Sequence, residues 1–437
     1  MSHLAEDVEM ADRRSQRAVL EERGWWWGLS DTILAAQPLF AAPIFFSILI
    51  GTPSLWLSWM VAVIPWGLRF WRTGRFTRRT PFDIPILIFV LGMLVGLVVS
   101  PSKAVSLEAL HTYFACILIY YGIVNNSDAK NGYWISVGGT VCLIVLGLSI
   151  WFFSEGVGRH FFFNEWAFRL AEPIPKISGP IFNMHGLGAV LAVIIPVLLA
   201  VALFKNRLWL RLTALISGLG FLAVLFLNVS GGGWISVVVG LAFVVLCWRF
   251  WTVGLVLPAV GLGGWVAAIY YDKASWLAQS FSINSFWCRV DYWRNTVELL
   301  KDYPVTGCGL GTWREVYNSY YGTNAANPHN TYLQIYADTG ALGAIALVSA
   351  TAVLFRICWR ILSSSRQSHW YGMGIGIIGG IVAGAAHAVV EVTTLGIIVE
   401  SATIYHSIAI PLLWIWVALL VVAYNRLYQQ PAQSSSS

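Results

Sequence analysis

Twelve stretches of this chain run for about 20 residues with almost no charge, the length a helix needs to cross a bilayer core. No other feature constrains the fold as much. The runs lie at roughly 31–50, 54–71, 82–100, 105–122, 133–153, 180–204, 208–228, 230–248, 252–271, 331–355, 371–391 and 402–424. Gly and Pro occur inside several, which helices in lipid tolerate because neighbouring helices re-satisfy the backbone. Only 11% of the 437 residues are charged, and 57% are hydrophobic. Soluble domains carry about 25% charge, so a disordered chain, a soluble nucleic-acid binder and an ordinary cytoplasmic enzyme are excluded. The expected fold is an all-α integral membrane protein of about 12 transmembrane helices.

Basic residues collect in the loops left in the cytoplasm. The 69–80 loop holds Arg69, Arg72, Arg75, Arg78 and Arg79, so it is placed inside. Alternating the spans from there puts both termini in the cytoplasm. Most of the 27 Lys and Arg then fall inside, and the net charge of +6 records orientation and contact with anionic lipid heads. It does not point to nucleic acid. The organisation that follows is a cytoplasmic tail (1–30), nine spans with a smaller outer segment near 154–179 (31–271), a large helical outer loop (272–330), three further spans (331–425) and a cytoplasmic tail (426–437). No short apolar core precedes a small-residue cleavage site, so no removable signal peptide is expected.

Loops longer than about 15 residues are usually functional or disordered, and the large outer loop is rich in aromatics. Its 289–303 stretch reads RVDYWRNTVELLKDY. Trp293, Val297 and Leu300 fall on one helical face, with Arg289 one turn before Trp293. Pro304 should end that helix. Gly307, Gly309 and Gly311 follow; they resemble a phosphate-cradling loop, although no βαβ unit surrounds them, and turn glycines are the plainer reading. Next, Asn330 or Thr331 fits the N-cap of the tenth span, with Pro328 blocking extension backward. His329 therefore sits at a helix N-terminus, whose orphan N–H groups favour an anion such as a diphosphate and a neutral imidazole. The plainer reading of His329 is a hydrogen-bonded interface residue.

His329–Asn330, then Tyr332–Leu333 and the pair Gly340 and Gly343, resemble the signature of the O-antigen ligase/polymerase superfamily of bacterial inner-membrane glycosyltransferases. Arg289, Trp293, Pro304 and the three glycines resemble that family's large periplasmic loop. Asn183, in GPIFNMHGLG, resembles a third element. One departure stands out: where the family often has Arg after Ser, Ser230 is followed by Gly231, Gly232 and Gly233.

The resemblance implies an inverting, metal-independent transfer of O-antigen polysaccharide from undecaprenyl diphosphate to a hydroxyl of lipid A–core. The expected setting is the periplasmic face of the inner membrane. His329 would act as general base, and Arg289 would bind the leaving diphosphate. Asn330, Tyr332, Trp293, Asn183 and His185 would line the substrate site. Arg169, Arg294 and Arg314 are second candidates for phosphate or sugar contacts, against the plainer reading of solvated loop charges. No cofactor is implied. No HExxH, paired cysteine ligand set or DxD is present, so no metal is expected. Six carboxylates lie in or beside spans: Asp31, Asp83, Glu108, Asp338, Glu391 and Glu400. Of these, Glu391 and Glu400 bracket a short outer loop and could face the site. Asp338, half a helical turn from His329, should not orient it. Cys288 and Cys308 lie in the outer loop, where an oxidising periplasm permits a disulfide that geometry decides.

Three alternatives remain open. Within the superfamily, a polymerase tends to carry two Arg-bearing outer loops, and 154–179 has Arg159 and Arg169. A protein O-oligosaccharyltransferase tends to be longer, with an outer C-terminal extension. From a different class, a lipid-linked glycan transporter suits twelve spans, but it should show repeat symmetry. A further oligosaccharyltransferase class uses an acid on the first outer loop; here that loop is Gly51-Thr52-Pro53.

Overall fold

The computed structural model describes residues 25–49, 55–154, 184–228, 230–249, 283–366, 368–392, 398–400, 403–405 and 409–428. Among them six helices are long and apolar enough to cross a membrane, by length and composition. They are α5 (Lys103–Asn125), α7 (Met184–Phe204), α8 (Leu208–Asn228), α9 (Gly231–Trp248), α12 (Thr331–Leu362) and α13 (His369–Val390). Helices α3 (Leu55–Thr73), α4 (Asp83–Val99), α6 (Asn131–Ser154) and α14 (Ala409–Tyr428) match four more of the expected runs. The ninth run, 252–271, lies outside the described residues, as does the outer segment near 154–179.

Two runs differ from expectation. The first is not one helix but three pieces: α1 (Trp25–Ala35), a 3-10 turn (Gln37–Ala41) and α2 (Ala42–Leu49). Pro38 and Pro43 each remove a backbone donor and crowd the preceding turn, and the run breaks at them, whereas Pro65 and Pro196 are carried inside α3 and α7. The turn is wedged against α5, where Pro38 closes on Gly122 and Asn125 donates to the Gln37 amide oxygen at 3.2 Å. The last run starts late. Strands β1 (Ile398–Glu400) and β2 (Thr403–Tyr405) form an antiparallel pair, and α14 is described from Ala409. Ile398, Val399, Thr403, Ile404 and Tyr405 are β-branched or aromatic, which suits a pleated ribbon. The all-α class therefore holds for everything described except this hairpin.

The core is built by close backbone approach. Gly372, Gly376, Gly380 and Gly384 form a ridge along α13, and Phe204, Ala200 and Val193 of α7 sit directly on it. Gly240 of α9 meets Pro196 of α7 and Ala383 of α13 in the same way. Small residues permit this van der Waals contact, which is what holds helices together where lipid removes the hydrophobic incentive. Elsewhere the bundle shows lipid-facing stripes. On α4, Ile84, Leu87, Leu91, Leu94 and Val98 are all exposed at helical spacing, as are Ile345, Val348, Phe355 and Trp359 on α12.

Candidate active site

The stretch between α9 and α12 contributes two helices among the described residues, α10 (Ile283–Leu299) and α11 (Trp313–Tyr321). The first starts earlier than the sequence suggested and ends before Pro304, because Leu299 and Leu300 turn inward to pack with Trp313 and Tyr317. Trp313 and Tyr317, stacked along one face of α11, join it to α10: Trp313 Nε1 donates to Thr296 Oγ1 at 3.2 Å, Asn295 Nδ2 donates to Tyr317 Oη at 3.1 Å, and Tyr292 packs edge-on against Tyr317.

Three distant stretches meet beside this unit. Asn330 caps α12, its Oδ1 accepting from Leu333 N at 3.0 Å, while its Nδ2 donates to Val389 O at 3.0 Å. One residue earlier, His329 is the single non-glycine with positive φ among the described residues, at 49°. Such a conformation costs of order 1–3 kcal/mol and persists only where the surroundings impose it. Here Asn327 Oδ1 accepts from the His329 N–H at 2.8 Å, and Trp293 Nε1 donates to the His329 carbonyl at 3.3 Å. The Tyr292 ring stacks on the imidazole, with centroids 6.1 Å apart.

The imidazole Nδ1 lies 3.0 Å from Glu391 Oε1, just past the end of α13. Glu391 is the hub of the cluster. Its side chain is 4% exposed; Arg289 Nη2 lies 3.7 Å from Oε2, and Thr331 Oγ1 donates to its backbone carbonyl at 2.7 Å. Arg289 is held further by a bond from Nε to Val390 O at 3.2 Å. With Nδ1–H donated to the carboxylate, Nε2 becomes the ring's proton acceptor. A guanidinium has five N–H donors, so these contacts can aim it without exhausting it.

The structure thus joins Arg289, Trp293, His329 and Asn330. Tyr332 stands one turn along, its hydroxyl donating to Ala385 O. Arg294 is exposed on α10, and Arg314 contacts Asn324 at 3.4 Å; neither shows a contact with the cluster. Arg169 and Asn183 lie outside the described residues, as do the side chains of His185 and Glu400. Asp338 accepts from Gln334, not His329, as its position on the helix required. The sequence marked Glu391 as an acid that could face the site but did not pair it with His329 or Arg289. It also missed the Tyr292 stack. Ser230 caps α9, and Gly232 abuts His387 and Val390, the residue whose carbonyl holds Arg289. The glycine run therefore packs beside the cluster where the family often has Arg.

Two readings left open by the sequence are decided. Cys288 and Cys308 are both free thiols: Cys288 is exposed, while Cys308 is buried with Sγ 3.4 Å from Ala337 O. The glycine loop is no phosphate cradle. Gly307, Gly309 and Gly311 all have positive φ, but the turn is buried and the N–H groups of Gly307, Cys308 and Leu310 are committed to backbone carbonyls. Cys308 N donates to Ala337 O at 2.7 Å and Leu310 N to Gly96 O at 3.2 Å. The turn docks against a break in α12 at Gly340 (φ 61°, ψ −151°). A regular helix would bond Ala341 N to Ala337 O. Instead Ala341 N donates to Val305 O at 2.9 Å, so each orphaned group finds its partner on the turn.

An apolar cavity of about 260 Å³ lies between α4, α5, α12, α13 and α14, from Tyr332 and Ala388 near the cluster to Phe82 and Leu354. Among the described residues, no group of three or more His, Cys, Asp or Glu side chains is placed to hold a metal ion.

Residues 217–348 match the family model described as O-antigen ligase. Over that stretch the chain is similar to the O-antigen ligase superfamily. With its apolar helices, the chain is a multi-pass membrane protein, and that family implies a glycosyltransferase-like enzyme using a lipid-linked glycan and a lipid acceptor. The matched stretch includes Arg289, His329 and the glycine turn, whereas Glu391 lies beyond it. No curated protein matches the chain.

Proposed function

We propose that this protein is an O-antigen ligase, transferring a polysaccharide from undecaprenyl diphosphate to a sugar hydroxyl of lipid A–core. The reading includes twelve spans, both termini in the cytoplasm and a site on the periplasmic face of the inner membrane. The observation that carries the chemistry is the Glu391 carboxylate set between His329 and Arg289, at 3.0 and 3.7 Å. It gives the imidazole the tautomer a general base needs and stabilises the imidazolium formed when the base is used.

In the proposed step the acceptor oxygen attacks the anomeric carbon from the face opposite the diphosphate. His329 Nε2 takes the hydroxyl proton. The bond from the anomeric carbon to the diphosphate oxygen breaks, and its electron pair leaves with undecaprenyl diphosphate. The anomeric configuration inverts. Arg289 meets the charge developing on the diphosphate, which is where most of the rate enhancement arises. Asn330, Tyr332 and Trp293 frame the approach, and the apolar cavity beside Tyr332 suits the hydrocarbon part of a lipid-linked substrate. Arg169, Asn183 and His185 complete the proposed lining, with Arg294 and Arg314 as outlying sugar contacts.

The test is a reconstitution of the full-length protein in lipid nanodiscs, with donor, lipid A–core and EDTA. Ligation should proceed, and both His329→Ala and Arg289→Ala should abolish it. Full activity in His329→Ala would remove it as the base, and activity only with added Mg²⁺ or Mn²⁺ would contradict the metal-free route. Elongation of donor onto donor, or transfer to a peptide, in place of lipid A–core would reassign the acceptor within the superfamily. Movement of intact donor across the bilayer without ligation would indicate a transporter.

A further inference from the structure

A second polar pocket lies at the other end of the bundle from His329. There Tyr428 of α14 donates to Arg360 O in the last turn of α12, whose first turn adjoins His329. Arg426 Nε donates to Ser127 O at 2.6 Å, and its Nη2 to Ala129 O. The loop after α3 grips the same turn: Arg78 Nη1 donates to Ser127 Oγ at 3.0 Å, and Nη2 pairs with Asp128.

Two buried donor atoms adjoin this turn and have no hydrogen-bond partner among the described residues. One is Gln37 Nε2, on a side chain in the 3-10 turn that is 2% exposed as a residue. The other is Arg69 Nε, near the end of α3. Helices α3 and α5 run in the same direction, since Trp59 meets His111 and Trp66 meets Tyr121. One turn on from Trp66 and Tyr121, Arg69 comes level with Asn125. Asn125 reaches the Gln37 side, its Nδ2 donating to Gln37 Oε1 at 3.2 Å. Its own Oδ1 already accepts from Thr77 Oγ1 at 3.2 Å and from Arg78 N at 2.9 Å.

A buried donor left unsatisfied is costly, and a charged one more so. A partner shared by Gln37 and Arg69 must accept from both. Water would bring protons that need acceptors of their own, and the amide oxygens of Gln37 and Asn125 are engaged; an oxyanion brings acceptors alone. Charge agrees. Arg78 and Arg426 both hold the 127–129 turn, Arg69 adds a third guanidinium, and Asp128 is the one carboxylate in these contacts. Beside Arg69, Phe70 and Trp71 are exposed. Aromatic rings next to basic residues mark the membrane–water interface, where lipid phosphates lie.

We infer that Arg69 and Gln37 form a binding site for a phosphate group, supplied by the headgroup of an anionic phospholipid. The guanidinium meets the phosphate with a charge-assisted bond, and the Gln37 amide donates from the other side. The bound headgroup ties the Gln37–Ala41 turn to α3. The site stands apart from the proposed glycosyl transfer and does not depend on it.

The test titrates full-length protein with phosphatidylglycerol or phosphatidylcholine by native mass spectrometry. Thermal midpoints are read in phosphatidylcholine nanodiscs with and without phosphatidylglycerol, and with inorganic phosphate. Wild type should bind phosphatidylglycerol in preference and melt higher with it. Arg69→Met keeps the side chain's length without its donors and should weaken that binding at least about tenfold. Gln37→Glu keeps the oxygen that accepts from Asn125 and sets a carboxylate where the phosphate would sit. It should weaken binding as much, with a midpoint in phosphatidylcholine no lower than that of wild type. Arg79→Gln removes an exposed charge from the same loop and should stay within about twofold. Should Arg69→Met fail to fold, Gln37→Glu against Arg79→Gln decides. Wild-type affinity in Arg69→Met and Gln37→Glu would overturn the site, as would equal weakening in all three variants. A midpoint raised by inorganic phosphate alone, and no longer raised in Gln37→Glu, would keep the site and name free phosphate as its source. A wild type that responds to neither lipid nor phosphate would overturn it.

Discussion

Replacing Glu391 with glutamine separates charge from shape at the centre of the cluster. The amide keeps an oxygen for His329 Nδ1–H at the observed 3.0 Å but loses the negative charge. Two unit charges about 4 Å apart interact by roughly 4 kcal/mol at an effective dielectric near 20. That is a gross figure, and a hydrogen bond to a charged group typically nets about 1.5–3 kcal/mol. The carboxylate is 4% exposed and the imidazole 24%, so solvent screens the pair only in part. The carboxylate matters most once the imidazole has taken up the acceptor proton, so the loss should fall on kcat. At about 1.4 kcal/mol per decade, the expected drop is roughly 10- to 150-fold. KM for the donor should rise less, because Arg289 keeps its bond to Val390 O while losing a partner at 3.7 Å. The assay is initial-rate ligation in nanodiscs at saturating donor and acceptor, with Glu391→Gln folded by size-exclusion and thermal criteria. A wild-type kcat in Glu391→Gln would refute the reasoning that imidazolium stabilisation by this carboxylate contributes to the rate.

Asn330→Ala removes a helix cap worth about 1 kcal/mol and the bond to Val389 O, so its thermal midpoint should fall below that of wild type. Burial pushes the Cys308 thiol up to about 12, so it stays protonated and unlabelled as pH rises from about 7 to 9, whereas exposed Cys288 should be modified readily, as peptide mass spectrometry would show. Arg314 donates to Asn324 at 3.4 Å on α11, so Arg314→Ala should leave ligation kinetics within about twofold of wild type; a larger loss would restore it as a substrate contact.

The bundle was legible in the sequence because bilayer thickness imposes one length on every span, so α3 to α9 appear close to where the apolar runs lie. Where the reading slipped, a local preference overrode hydropathy: Pro38 and Pro43 broke the first run, and β-branched residues drew 398–405 into a hairpin. Hydropathy averages over both effects. His329, Asn330 and Trp293 were legible through a motif, and the cap at Asn330 through its residue type. Glu391 was not, because its partners lie 62 and about 100 residues away and only tertiary packing joins them. The glycine segment was legible as a turn, but the surface it docks on was not. Positive φ serves anion binding and close backbone packing equally, and nothing local to residues 307–311 shows that α12 breaks opposite them.

The order in which the cluster's members occur along the chain has a consequence for biosynthesis. Arg289 emerges first, then His329, and Glu391 only when nearly nine-tenths of the 437 residues have been made. Arg289 also leans on Val390 O, and Asn330 on Val389 O, so the end of α13 completes the hold on the other two. A nascent chain that stalls before this point carries the base and the guanidinium without the carboxylate that aligns them. On the proposed roles of His329 and Arg289, catalytic competence is thereby tied to synthesis of the end of α13.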